Sequence, residues 1–320
     1  MATTHRIAAL NELKIAKIAV LTDFSPAADT ALRYAATVAR SCGAGIVLAH
    51  AYLPPACAYA APEAALVFDA FDSYREHLEN RLRRATQEPW LKDIRCSVAL
   101  CQGGPSDLLE ELKDADVVVV GTSGQTGLRK ALLGSTAEMV FRTCNKPVLT
   151  VGPQCHCTGE GKAGLGTVLC AVDLSSGTTG ALDYALSIVR QNELNLLLLY
   201  VFEGSELVLA LEQACARAEA FQELRKLVPE DAATSARTHY LVDFGNVDTA
   251  ILNQARAHNA SLIVMGAHRT SRVPAIASRF AGGTAYSVAA NSLCPVLTIP
   301  SDNGLTLHVT DITESQQCAE

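Results

Sequence analysis

Two tandem α/β domains, each a doubly wound sheet with helices on both faces, are predicted for this chain, and three observations carry the prediction. The length is 320 residues, about twice the ~150 of an ordinary domain. The sequence repeats itself: IAVLTDFSPAADTALRYAATVAR (18–40) answers VLCAVDLSSGTTGALDYALSIVR (168–190), and GSTAEMV with KPVLTVGP (134–153) answers GGTAYSV with CPVLTIPS (282–301). Within each copy, short runs of Val, Ile and Leu alternate with helix-spaced apolar residues, as in a parallel sheet buried on both faces.

In chain order, Ile15 to Thr22 reads as a buried strand. Asp23 follows it, at the strand's carboxyl end and also where a side chain could cap the helix starting near Pro26. In that helix, Ala31, Leu32, Ala35, Val38 and Ala39 recur at helical spacing. Gly45 to Ala51 is a second strand, Asp116 to Gly121 a strand of four valines, and Pro147 to Val151 a closing strand. The glycine-rich polar stretch after it marks a boundary, giving a first domain over 1–153, a linker over 154–165 and a second domain over 166–300. The second copy repeats the helix (Ala181, Leu182, Ala185, Ile188, Val189) and the strands LLLLYVF, SLIVMG and PVLTI. Residues 301–320 are polar, lack apolar periodicity and are expected to form a mobile tail.

Composition excludes several classes. Hydrophobic residues make up 49% and charged residues 18%, which rules out a disordered, collagen-like or coiled-coil chain. A formal charge of −7 opposes nucleic-acid binding, which needs a basic surface. The excess acid is local: Lys+Arg and Asp+Glu balance at 16 each through Pro153, against 10 and 17 beyond it. The 11 cysteines are odd in number and scattered, as expected of reduced thiols in the cytoplasm. The start of the chain has no signal-like form, and the most apolar long segment, Ile46 to Phe68, is broken by His50, Pro54, Pro55, Pro62 and Glu63. No membrane segment is therefore expected.

The segment richest in chemistry is VVVVGTSGQTGLRKALLGSTAEMV (117–140). A strand ends at Gly121, a loop carries Gly124 and Gly127, and Gly134-Ser135-Thr136 opens the next helical pattern. Glycines let the backbone turn and approach a ligand. A helix start with free N–H groups, two hydroxyls and the positive dipole end suits an anion such as phosphate. The same residues would equally serve as a plain capped strand-to-helix turn.

The spacing G-x2-G-9x-G-[ST], met by Gly121, Gly124, Gly134 and Ser135, is that of the ATP-binding universal stress proteins, and the chain resembles a tandem member of that family. The likeness extends to the first-strand aspartate of LTDFSPAADTAL, to LAHAY, to QGGPSDLL and to KPVLTV. It implies a five-stranded parallel sheet of order 3-2-1-4-5 in each domain, with the last strands of the two domains paired as an intrachain pseudo-dimer. It further implies a nucleotide at the carboxyl edge, where strand order reverses. By the same resemblance Asp23 would contact adenine or ribose, and Ala51 would hold adenine through its backbone. Gly121, Thr122 and Gly124 would lie along ribose and the inner phosphates, and Gly134, Ser135 and Thr136 would take the outer phosphates. Ser123 and Gln125 depart from the family's common His and Arg.

The second copy has lost the pattern: Arg269 replaces the second glycine, twelve residues follow rather than nine, and Gly282-Gly283-Thr284 closes the loop. Asp173 and Val201 keep the first-strand carboxylate and the end of strand two. Arg269, Arg272 and Arg279 offer a charge-based anion grip or a solvated surface. One competent site in the first domain and a degenerate one in the second are expected. Cys155-His156-Cys157 lacks the partners of a metal site, His50 and His268 are isolated, and no Walker lysine follows the loop.

These features point to a stress-response ATP-binding protein acting as a nucleotide-dependent switch or scaffold, with Mg2+ accompanying the nucleotide and a protein as its partner. A slow ATPase, a relative of the adenine-nucleotide α-hydrolases, and a scaffold working through its second domain are the alternatives. A further homodimer is left open by sequence.

Overall fold

The computed structural model describes residues 14–53, 64–122, 133–152, 155, 166–174, 179–203, 210–228, 237–267 and 283–300. In the first half the elements are β1 (Lys17–Leu21), α1 (Pro26–Cys42), β2 (Gly45–Tyr52), α2 (Ala64–Thr86), β3 (Cys96–Gln102), α3 (Pro105–Glu111), β4 (Val117–Gly121), α4 (Ser135–Thr143) and β5 (Val148–Val151). The second half runs β6 (Thr167–Val172), α5 (Thr179–Asn192), β7 (Asn195–Glu203), α6 (Ala210–Leu227), β8 (Thr238–Gly245), α7 (Val247–Ala257), β9 (Leu262–Ala267), α8 (Thr284–Asn291) and β10 (Val296–Pro300).

All ten strands form one sheet, in the order β3-β2-β1-β4-β5-β10-β9-β6-β7-β8. Each half is therefore a parallel 3-2-1-4-5 unit, and the two meet through β5 and β10, the antiparallel pair. This is the intrachain pseudo-dimer expected from the tandem plan. The seam is pseudo-symmetric in its chemistry: buried Thr150 donates its hydroxyl to the Val296 carbonyl, and buried Thr298 donates to the Val148 carbonyl, each at 3.2 Å. From one half, Tyr34 donates its phenol to the Ser261 carbonyl of the other at 3.2 Å. Across the seam Phe141 of α4 meets Tyr286 of α8 edge to face, with centroids 5.9 Å apart.

Apolar side chains from both faces of the strands fill two cores, one on each side of the sheet, and each core runs through both halves. α1 is alanine-rich on its buried side (Ala28, Ala31, Ala35, Ala36, Ala39), so it settles close over β1 and β4. Its start is fixed by Ser25, whose hydroxyl accepts from the Ala28 N–H at 3.2 Å, and by Pro26 at the first helical position. Its end is fixed by Gly43, left-handed at φ 69°. The cap is thus Ser25 and not Asp23, the residue the sequence offered for that role; Asp23 accepts instead from the Ser25 N–H at 2.9 Å. The Asp116 carboxylate accepts from the N–H groups of Ala16 and Lys17 and so anchors the entry of β1 beside β4.

Candidate functional site

β1 and β4 are neighbours whose following helices pass to opposite faces, which leaves a crevice at the carboxyl edge of the first half. A cleft of about 370 Å³ occupies it, within the size range of small-molecule sites. Of the residues singled out in the sequence, Asp23, Ala51, Gly121, Gly134, Ser135 and Thr136 line it together. Thr122 does not line it. It is 3% exposed, its N–H given to the Val151 carbonyl and its own carbonyl accepting from the Gly134 N–H at 2.7 Å. Thr122 therefore ties the start of α4 to the sheet. Gly124, Ser123 and Gln125 lie outside the described residues, as do Gly127, His156, Cys157, His268, the three arginines at 269, 272 and 279, Gly282 and the stretch 301–320.

One end of the cleft is the open start of a helix. α4 starts at Ser135 with Gly134 as its cap residue, and Glu138 N–H is the first amide to find an intrahelical carbonyl, that of Gly134 at 2.8 Å. The amides of Ser135, Thr136 and Ala137 therefore belong to the helix's open first turn, at its positive dipole end. No lysine or arginine is among the described lining residues.

The other end offers acceptors and a flat backbone edge. Thr22 N–H reaches the Ala49 carbonyl, and Gly103 N–H the Tyr52 carbonyl. By the alternation of a parallel ladder, Ala51 turns its N–H and C=O to the β1 side, beyond the last residue of β1. Asp23 stands beside this edge, half-buried. Pro105 and Leu108 of α3 form an apolar wall. α3 is positioned by Asp107, whose carboxylate accepts from the Gly104 N–H at 2.7 Å. Gly103 makes this possible: its φ is 148°, and a Cβ there would stand 2.4 Å from that carboxylate.

Gly121 has a different reason from the one its spacing suggests. A Cβ at Gly121 would lie 2.9 Å from the backbone C and O of Ala27. The glycine is thus required by the close seating of α1 on β4, whatever the cleft holds.

Sequence reasoning set His50 aside as an isolated histidine, yet it lines the cleft. Its Nδ1–H donates to the Thr22 carbonyl at 2.7 Å, and its ring packs against Phe24 with centroids 4.7 Å apart. Burial pushes the His50 pKa below its ordinary value of 6.5, outweighing the Thr22 hydrogen bond and the Asp23 carboxylate, while Arg81 adds to the lowering. The ring is therefore neutral near pH 7, with Nδ1 protonated and Nε2 an acceptor. The signal for it in the sequence was its place one residue before Ala51, at the edge where ligands bind.

Among the described residues no cluster of three or more His, Cys, Asp or Glu is set to hold a metal ion, and no helix is long and apolar enough to cross a membrane. In the second half, Asp173 is exposed after β6, Val201 is 9% exposed in β7, and Thr284 opens α8.

Comparison with known proteins gives a consistent family. The model of the Universal stress protein family matches residues 14–152 and again 164–300. A stretch of 67 residues is 39% identical to Universal stress protein MJ0531 of Methanocaldococcus jannaschii, spanning 20% of this chain and 38% of that protein. Another, of 81 residues, is 31% identical to Universal stress protein MJ0577 of the same organism, spanning 24% of this chain and 49% of that protein. The chain thus matches less than half the length of these curated relatives. Among solved structures, a universal stress protein from Archaeoglobus fulgidus superposes with a TM-score of 0.62 at 18% identity, over 90% of this chain and all of that one.

Proposed function

Because this chain belongs to the universal stress protein family, with two of its domains in tandem, we propose that its first half binds an adenine nucleotide, ATP, in the crevice at the carboxyl edge of the sheet. The protein would act as a nucleotide-dependent switch or scaffold in a stress response. The observation that carries this reading is the meeting, in one cleft, of an open helix start (Gly134, Ser135, Thr136) with the strand edge at Ala51 and the Asp23 carboxylate. Phosphates fit the first end through amides and dipole; a purine and ribose fit the second, where Asp23 would repel phosphate but accept from hydroxyl groups.

In this reading the outer phosphates rest on the amides and hydroxyls of Ser135 and Thr136, and adenine lies between the Ala51 backbone and the wall of Pro105 and Leu108. Gly121 borders the path between them. Mg2+ would ride on the phosphates and water rather than in a protein cage. Binding, with hydrolysis slow where it occurs, is favoured over turnover. Fast phosphoryl transfer uses a cationic clamp and a group that orients the nucleophile, and the described lining supplies neither lysine nor arginine. The domain limits 1–153 and 166–300, joined by 154–165, belong to the same proposal, as does a cytoplasmic location, which the scattered cysteines of the sequence suit.

Isothermal titration of ATP, ADP and GTP into the full chain tests the reading. Saturable binding of ATP is expected, with GTP weaker. Absence of saturable binding by any of the three would remove it. Single-turnover phosphate release from bound ATP separates a switch, with release slower than dissociation, from an ATPase.

A further inference from the structure

We propose that His50 is the positioning residue of this cleft: it holds the Thr22-Asp23-Phe24 turn in the backbone conformation that presents the Asp23 carboxylate to the ligand. What Asp23 contacts rests on the nucleotide reading above; the positioning itself does not.

The starting observation is a bulky residue where one is rarely found. Phe24 has a φ of 62°, a left-handed conformation that is an outlier for an aromatic side chain. Such conformations persist only where the surroundings over-determine them, and they concentrate at functional sites. Here the surroundings are visible. The Phe24 ring packs against His50 at 4.7 Å, and the Arg81 guanidinium of α2 sits 4.1 Å from its centroid. His50 also donates Nδ1–H to the Thr22 carbonyl at 2.7 Å, just past the end of β1. One imidazole thus holds both sides of Asp23, the carbonyl before it and the ring after it.

Two hydrogen bonds depend on this geometry. Thr22 Oγ1 accepts from the Phe24 N–H, and Asp23 Oδ1 accepts from the Ser25 N–H, each at 2.9 Å. With one carboxylate oxygen committed to Ser25, the direction of the other is fixed by the turn. Removing the ring leaves the Thr22 carbonyl without its donor and Phe24 without its stack, and the turn then relaxes toward negative φ, carrying the Asp23 carboxylate with it. The charged groups facing His50 are Asp23 from the turn and Arg81 from α2. They oppose one another, and burial keeps the ring neutral. At Ser25 the same turn delivers the cap of α1, which makes the start of α1 and the aim of Asp23 one unit.

The test compares His50→Ala with His50→Asn, whose side-chain amide places a donor where Nδ1 stands. Without nucleotide, amide exchange at Phe24 and Ser25 is read by NMR. It is expected to be at least about tenfold faster in His50→Ala and to return most of the way in His50→Asn. ATP titration is then run as a double-mutant cycle with Asp23→Ala. His50→Ala is expected to weaken ATP about tenfold when Asp23 is present and less than about twofold when it is absent. Unchanged exchange at both amides in His50→Ala overturns the proposal whatever happens to ATP, and so does a strictly additive cycle. Wild-type protein that binds no nucleotide would sink the nucleotide reading alone, since the exchange measurements still decide whether His50 sets the turn.

Discussion

Replacing Ser135 by Asp separates ligand chemistry from fold, because it pushes stability and binding in opposite directions. Ser135 is the first residue of α4, exposed, and next to the Gly134 cap. A carboxylate in the first turn of a helix is favourable by roughly 0.3–1 kcal/mol, so the urea midpoint is expected to hold or rise slightly. The same carboxylate would face any phosphate resting on that turn. Two unit charges 4 Å apart at an effective dielectric near 20 repel by about 4 kcal/mol, which is about a thousandfold in affinity, and salt reduces it. The prediction is a loss of at least about a hundredfold for ATP, with adenosine weakened less than about threefold. Titration calorimetry with both ligands, beside urea unfolding, makes the measurement. An equal loss for adenosine and ATP would mean that the substitution damaged the cleft as a whole, and no loss for ATP would mean that phosphates do not sit on α4; either refutes the reasoning.

Gly121→Ala should destabilise by roughly 1–3 kcal/mol through overpacking, because its Cβ meets the Ala27 backbone at 2.9 Å; a urea midpoint unchanged from wild type would contradict that account. His50, held neutral by burial below its ordinary 6.5, binds fewer protons folded than unfolded. Its contribution is therefore full above about pH 6.5 and is lost as pH falls through the folded value, so His50→Asn should flatten the stability curve below that pH. Burial pushes the Cys170 thiol up to about 12 and the Cys101 thiol up to about 11, so among the described cysteines iodoacetamide at pH 8 should label exposed Cys215 first and reach Cys170 only on unfolding. Peptide mass spectrometry reads the order.

The plan of the fold was legible because it rests on strong local signals. The 150-residue repeat between Asp23 and Asp173 implies two like units, and the four valines of β4 can only be a strand covered on both faces. β3 and β8 were much harder to see: they are the sheet's two edges, half-buried and therefore less uniformly apolar. Residues singled out in the sequence line one cleft, but their structural duties were not legible. Gly121 fits the glycine spacing, yet its constraint comes from Ala27, 94 positions earlier in the chain. Thr122 belongs to the same motif, yet it is buried and is not among the residues lining the cleft. Asp23 and Ser25 were both capping types, and only the turn geometry gives the cap to Ser25. His50 read as an isolated histidine because its partners lie far off along the chain, Thr22 and Phe24 in the turn after β1 and Arg81 in α2.

The central claim is one adenine nucleotide per chain, held in the first half. Native mass spectrometry of the full chain with ATP counts it directly. The account predicts a single added ATP at saturation, lost in Ser135→Asp and kept when Thr284, the corresponding residue region of α8, is changed to Asp. Two nucleotides per chain, none, or one that survives Ser135→Asp and disappears with Thr284→Asp would contradict it.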